Sequence, residues 1–172
     1  EQLVDVASEQ DTSGFTLTNV RATFAQAKDS ARVNFEAGID LNLETGTGHR
    51  VGDGEEEIGD YAAYASLEYA PHRALTLRPG LRYAYNTRYG APLIPSLNVR
   101  WQLNKGFTLR ASYANGFRAP SLKELYLFFV DVNHDIVGNT DLDAERSHNL
   151  SGALAYRHAK DKGVYTSEIS VF

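Results

Sequence analysis

Groups able to hold a ligand crowd into one stretch, Gly116 to Glu145, GFRAPSLKELYLFFVDVNHDIVGNTDLDAE. Tyr126, Phe128 and Phe129 form an aromatic group beside Asn133 and His134. Such a group can hold a planar or sugar-like ligand, or it can pack the loop against its own base. His134 lies within reach of Asp131 and Asp135, so a hydrogen bond within the loop is an alternative to a ligand contact. His49, in the Gly-rich segment Thr45 to Gly54, is a second ligand candidate. Asp131, Asp135, Asp141 and Asp143 raise the question of calcium, but the DxDxDG spacing with a distal Glu is missing. No metal site is therefore expected from these acids. Catalysis finds no support either: there is no GxSxG elbow, no HExxH and no Cys nucleophile. The expectation is a binding protein that needs no cofactor.

The elements around this stretch read as strands. Arg32 to Leu43 alternates strictly, with Val33, Phe35, Ala37, Ile39, Leu41 and Leu43 on one face. Leu75 to Asn86, Pro95 to Leu103 and Phe107 to Tyr113 repeat the pattern. Tyr61 to Tyr69, Arg146 to His158 and Val164 to Phe172 are weaker examples. Phe15 to Gln26 changes register midway, from Phe15 and Leu17 to Val20, Ala22 and Phe24, and a bulge is expected there. About eight strands of nine to thirteen residues result. Globular strands average five or six residues, whereas crossing a bilayer at a tilt takes roughly 9–11.

Connections alternate in length too. Lys28 to Ser30, Pro71 to Ala74, Asn104 to Gly106 and Ala159 to Gly163 are short. Glu44 to Asp60, Thr87 to Ile94 and Arg118 to Glu145 are longer. Short periplasmic turns and long extracellular loops are the pattern of outer-membrane barrels. Tyr61, Tyr64, Tyr69, Tyr83, Tyr85 and Tyr89 suit the lipid–water boundary. The chain is 42% hydrophobic and has no run of 18 apolar residues, which excludes a transmembrane helix but not a barrel. A net charge of −5 argues against nucleic acid as a partner. Glu55-Glu56-Glu57 reads as a solvated loop tip.

The residues Phe117-Arg118-Ala119-Pro120, followed by Asn139-Thr140-Asp141-Leu142, resemble two boxes of TonB-dependent outer-membrane receptors. Members of that family commonly carry FRAP and then NPDL; here Thr140 replaces the Pro. Ser121 to Tyr126, Phe128 to His134 and Arg78 to Leu103 resemble receptors of the Bacteroidetes group. The resemblance implies a plugged barrel of about 22 strands. It also implies import of a scarce nutrient with energy passed through TonB. The implied partners are the TonB complex by way of the plug, the lipid bilayer with its lipopolysaccharide, and a small nutrient ligand. The implied ligands are an iron–siderophore, haem, cobalamin or similar. In haem receptors similar to this family a loop His is an axial ligand, so His134 is a metal ligand only if the cargo is haem. With about eight strands, no plug and no Met, the chain reads as a mid-barrel piece, residues 1–172 forming part of the barrel domain.

Physical roles follow for the boxes. Pro120 lacks an N–H and ends a strand. Ser121 and Glu124 have the spacing of a capping box for a short helix. Arg118 can pair with Asp141 or Asp143 in the returning limb, and Gly138-Asn139 reads as a turn. Both boxes then brace the loop base. Arg32, Asp40, Arg78, Arg82, Arg100 and Arg110 share the polar faces, either lining the lumen against the plug or forming a charge ladder between strands. Two rival readings are a complete eight-stranded barrel with an anchoring or adhesion role, and a soluble β-sandwich binding module.

Overall fold

The structure, a computed structural model, describes residues 13–28, 31–130, 132–160 and 163–172. Eight long strands make one antiparallel sheet: β1 (Gly14–Gln26), β2 (Val33–Thr47), β3 (Glu55–His72), β4 (Leu75–Asn86), β5 (Leu93–Gln102), β6 (Phe107–Arg118), β9 (Glu145–Lys160) and β10 (Gly163–Val171). Each pairs with the next in that order. Between β6 and β9 lie a helix, α1 (Leu122–Tyr126), and a small hairpin, β7 (Phe128–Val130) with β8 (Asp135–Val137). β1 and β10 are the two edges and do not pair with each other, so these strands do not close into an eight-stranded barrel by themselves.

Register assigns every side chain to a face, because directly opposed residues point the same way. Arg21 opposes Asp40, Asp40 opposes Ala62, and Ala62 opposes Ala84. Arg78 opposes Asn98, Asn98 opposes Ser112, and Ser112 opposes Ser151. These residues mark the polar face. The other face carries Ile39, Leu67, Leu81, Leu97, Leu150 and Ile169. Leu150 is 72% exposed and Ile169 76%, and no second sheet covers that face among the described residues. A sandwich would bury it. An apolar face left open, opposite a polar one, is the transverse profile of a membrane barrel wall.

Aromatic side chains bound the apolar face at two levels. Tyr61 stacks on Tyr85 at 6.5 Å and Tyr113 on His148 at 6.3 Å, at the level nearer the long loops. Phe24 and Phe35 lie 5.9 Å apart and Phe107 and Tyr156 4.6 Å apart at the level nearer the short turns. Tyr61 and Tyr69 in β3, and His148 and Tyr156 in β9, are each eight residue steps apart. At ~3.3 Å per residue and a tilt of ~40°, this is about 20 Å of height, close to the apolar band of such barrels. Tyr64 departs from the expected boundary role: it faces the polar side, opposite Gly38, and its hydroxyl shares a 2.5 Å hydrogen bond with Thr23 Oγ1.

Strands run past the membrane. β3 has 18 residues, well beyond the roughly 9–11 a crossing takes. β2 and β3 remain paired out to Thr47 and Glu55, so the connection is Gly48 to Gly54 rather than Glu44 to Asp60. Gly48, Gly52 and Gly54 all have positive φ, which lets the chain reverse in so few residues. Glu55, Glu56 and Glu57 are therefore strand residues opposed to Thr47, Gly46 and Thr45, not a loop tip.

The expected bulge in β1 is absent: Gly14 to Gln26 pairs with Thr47 to Phe35 without a shift. Instead the polarity of the two faces inverts. Arg21 and Asn19 share the polar face with Leu17 and Phe15. The inversion falls where β1 leaves the bilayer and its inner face meets α1. The irregularity observed lies elsewhere, between Tyr69 and His72 in the β3–β4 pairing.

Candidate functional site

The long connection from β6 to β9 builds the outer mouth of the sheet. Its helix begins at the Ser121 N-cap, whose hydroxyl accepts from the Glu124 N–H, while Glu124 accepts from the Ser121 N–H at 2.8 Å. This is the capping box expected from the spacing. Leu122 and Leu125 are each 1% exposed and form the core of the rim with Ile58. Phe15, Tyr89 and Tyr126 pack around it. Fully burying one Leu contributes about 1.5–3 kcal/mol, so this cluster is the main apolar attachment of a five-residue helix. Glu44 of β2 accepts from the Leu122 N–H at 3.0 Å and meets a helix donor that has no partner inside the helix. Gly138 lies against the Leu125 backbone, where a Cβ would approach the carbonyl carbon to 2.6 Å.

Arg118 organises the base. Its Nε and Nη2 donate to the two Glu145 oxygens at 3.1 and 2.6 Å, and its Nη1 donates to Glu124 at 2.9 and 3.1 Å. The expected partners Asp141 and Asp143 are not used. Glu145 directly opposes Arg118 in the β6–β9 register, whereas Asp141 is turned into a local bend by its N–H bond to Asn139 Oδ1 at 2.9 Å. This cluster lies beyond the upper aromatic level, outside the membrane. The Arg118 hydrogen bonds, with those from Ser121, hold the Glu124 carboxyl down at about 2, and Arg118 also lowers Glu145. The two carboxylates in turn raise Arg118, which stays charged at any working pH.

The second box is held from the β4–β5 connection, a contribution that the sequence reading missed. Arg88 Nη2 donates to the Thr140 carbonyl at 2.7 Å, and its Nη1 bonds the Tyr126 hydroxyl. Tyr89 donates its hydroxyl to the Leu142 carbonyl at 2.9 Å, which takes it away from the lipid boundary. Buried Asn86 accepts from the N–H groups of both Arg88 and Tyr89 and fixes their approach. Nothing local in Asn86-Thr87-Arg88-Tyr89 announces these long-range bonds; only the turn-like composition was readable.

Four of the candidate ligand residues, Phe128, Phe129, Asn133 and His134, fall on the small hairpin, while Tyr126 ends α1 and His49 lies in the β2–β3 connection. Phe129 stacks on His134 at 4.9 Å, and the Arg50 guanidinium lies over the Phe129 ring at 4.0 Å. Phe128 is 55% exposed on the opposite side of β7. Its N–H donates to the Arg50 carbonyl at 2.9 Å, so β7 is stitched to the β2–β3 connection through backbone bonds that include Gly52 N–H to the Tyr126 carbonyl at 3.2 Å. Asn133 and His49 are exposed, at the hairpin tip and in the β2–β3 connection. Tyr126 is turned to Arg88 and the rim core, so it stands apart from the Phe129–His134 stack. Asp131 lies outside the described residues, and among those described no group of three or more His, Asp or Glu is placed to hold a metal.

On the polar face below, Asp40 is 3% exposed and accepts from Arg21 at 2.7 Å and Arg82 at 3.1 Å. Arg110 pairs with Glu168 at 3.0 Å. These bonds tie β1, β2 and β4, and β6 to β10, across the wall.

A long-stranded antiparallel sheet with one open apolar face, two aromatic levels, short turns on one side and long loops on the other defines a transmembrane β-barrel wall of the bacterial outer membrane. The family model described as TonB dependent receptor-like, beta-barrel, matches residues 5–172, and the chain belongs to that family. It is 32% identical over 123 residues to the ferric enterobactin receptor PirA of Pseudomonas aeruginosa, a match covering 64% of this chain and 16% of that protein. It is 31% identical over 98 residues to the iron-regulated outer membrane virulence protein of Vibrio cholerae, covering 56% and 15%. The crystal structure of the siderophore receptor PirA superimposes with a TM-score of 0.75 at 23% identity, over 91% of this chain and 30% of that one. The chain thus spans about a sixth of the length of the curated relatives it matches.

Proposed function

We propose that this chain forms part of the wall and outer mouth of a receptor that binds a scarce nutrient and imports it with energy transduced through TonB. The favoured cargo is an iron–siderophore complex. Two of the relatives are named for iron, one as a ferric enterobactin receptor and one as iron-regulated. Haem and cobalamin are the other cargoes of this reading. The protein binds and conducts; it makes and breaks no covalent bond. Its partners are the plug through which TonB acts, the bilayer with its lipopolysaccharide, and the cargo.

In this reading the two boxes, Phe117 to Pro120 and Asn139 to Leu142, brace the loop. The hairpin residues Phe128, Phe129, Asn133 and His134, with His49 beside them, face arriving cargo. The observation that carries it is the family match together with a loop held at both ends by Arg118 and Arg88. The test is growth and radiolabelled iron uptake of the source bacterium, with and without the intact gene, under iron limitation. Loss of uptake of one iron complex, restored by the gene, is the expected result. Unchanged uptake of every iron complex, haem and cobalamin contradicts the reading.

A further inference from the structure

The two ends of the wall carry opposite charge. The connections on the short-turn side, residues 27–32, 73–74, 103–106 and 161–162, contain five Lys or Arg and two Asp. Those on the long-loop side, 48–54, 87–92 and 119–144, contain three Lys or Arg and six Asp or Glu. The lipid-facing side of the sheet repeats the contrast. Its carboxylates, among the described residues of the eight strands, are Glu55 and Glu57, both above the membrane. At the short-turn end no described strand residue puts a carboxylate on that face.

Cations follow the lower aromatic level directly. In β9, Leu154, Tyr156, His158 and Lys160 share the lipid-facing side, and Tyr165 of β10 opposes His158. Phe107 and Tyr156 belong to the aromatic level, so His158 and Lys160 lie two and four residues beyond it. His158 stacks on Tyr156 at 6.4 Å. On the other side of β9, the Gly106 carbonyl accepts from the Arg157 N–H at 2.8 Å, which brings Lys105 in the β5–β6 turn level with His158. Lys105 stands at the lip between the two faces, since it also borders the recess behind the turn. Arg73 occupies the β3–β4 turn, held at the same end by the bond from Gln102 N–H to the Ala74 carbonyl at 2.7 Å. With strands ~4.8 Å apart, turns of neighbouring hairpins stand about 10 Å apart.

Arg73, Lys105, His158 and Lys160 are exposed and form no ion pair or side-chain hydrogen bond among the described residues. Here β9 is flanked by β6 and β10, and His158 and Lys160 point away from the lumen, so neither a further strand nor anything inside the barrel covers them. Solvation alone explains no preference of sign, because the acids of the long loops keep their connections just as wet. Depth explains it better. Aromatic rings favour the interface, and Lys and Arg just past them reach the level of lipid phosphates. Each Lys or Arg held near an anionic leaflet contributes about 1 kcal/mol of attraction.

We propose that Arg73, Lys105, His158 and Lys160 form a docking belt for anionic phospholipid of the inner leaflet. Headgroup phosphates bind at the belt, and acyl chains lie against Trp101, Phe107 and Leu154 on the same face. The inference rests on the place of the chain in the outer membrane with its short turns inward, and not on import.

The test uses the full-length receptor, folded into phosphatidylcholine bilayers that carry a trace of photoactivatable phosphatidylglycerol. Photoactivatable phosphatidylcholine, which has no net charge, is the control, and labelled peptides are mapped by mass. At about 0.01 M salt, where screening is weak, the phosphatidylglycerol probe should label residues 101–107 and 154–165 in excess of the control. Salt at about 1 M should remove that excess in the wild type. R73Q/K105Q/K160Q, with folding checked by its unheated mobility on a gel, should cut the excess by about tenfold. R73K/K105R/K160R, which keeps the charge, should retain it. R78Q/R100Q, which removes charge from the lumenal face, should leave it unchanged. Three results overturn the proposal: equal labelling by both probes in the wild type, an excess that survives about 1 M salt or R73Q/K105Q/K160Q, or an excess lost as fully in Arg146→Gln at the long-loop end. If the excess is found while uptake and growth do not depend on the gene, the transport reading fails and the lipid belt stands.

Discussion

The part of the sheet inside the membrane and the part above it follow opposite rules. Inside, β1 presents Val20, Ala22 and Phe24 outward and Asn19, Arg21 and Thr23 inward. Above, the same strand presents Thr16 and Thr18 outward and Phe15 inward against the rim core. β3 does likewise. Tyr61, Ala63 and Leu67 face lipid with Asp60 and Tyr64 behind them, but higher up Glu55 and Glu57 face out and Ile58 faces in. The backbone does not change; the surroundings do. In the membrane the outer surface meets hydrocarbon and the inner surface meets polar groups, whereas above it the outer surface meets water and the inner surface packs on a helix.

The rim part is a small core, and removing one of its side chains should have the largest effect. Leu125→Ala should cost about 2–5 kcal/mol of loop attachment through the cavity it leaves. In the full-length receptor, amide exchange of residues 119–144 should accelerate while exchange in β4 to β6 stays unchanged. Equal acceleration in both would mean that rim and wall are one cooperative unit.

A smaller effect is expected from acid. Glu124 normally titrates near 4.5 and is held at about 2 by Arg118 and Ser121. A carboxyl lowered on folding stabilises fully above its ordinary value, and that contribution is lost as pH falls toward its folded value. Loop protection, corrected for intrinsic exchange, should therefore be flat from pH 7 to about 5 and decline between about 4.5 and 2. Arg118→Gln should weaken protection at pH 7 and flatten that dependence. A decline that persists unchanged in Arg118→Gln would put the titrating group elsewhere.

The wall was legible in the sequence because each of its residues answers to one local rule, period two. The eight strands follow from it, while the capping box at Ser121 and the strand end before Pro120 follow from two other local rules, the spacing of Ser and Glu and the missing N–H of Pro. The rim was less legible, because its contacts join segments far apart in the chain. Arg118 pairs with Glu145 rather than Asp141 because the β6–β9 register opposes them, and alternation alone cannot supply register. Arg88 and Tyr89 reach Thr140 and Leu142, more than 50 residues away. The inversion in β1 looked like a bulge because a phase change and a change of surroundings produce the same break in alternation.

That inversion can be tested directly. The sequence contains no Cys, so single cysteines can be introduced and labelled without background. A nitroxide at position 17, 18, 20 or 24 of the full-length receptor in bilayers reports contact with oxygen, which concentrates in lipid, or with a polar nickel chelate. Labels at Val20 and Phe24 should respond to oxygen, Thr18 to the chelate, and Leu17 weakly to oxygen. A strong lipid response at Leu17, with Thr18 shielded from the chelate, would restore the bulge and contradict this account of the wall.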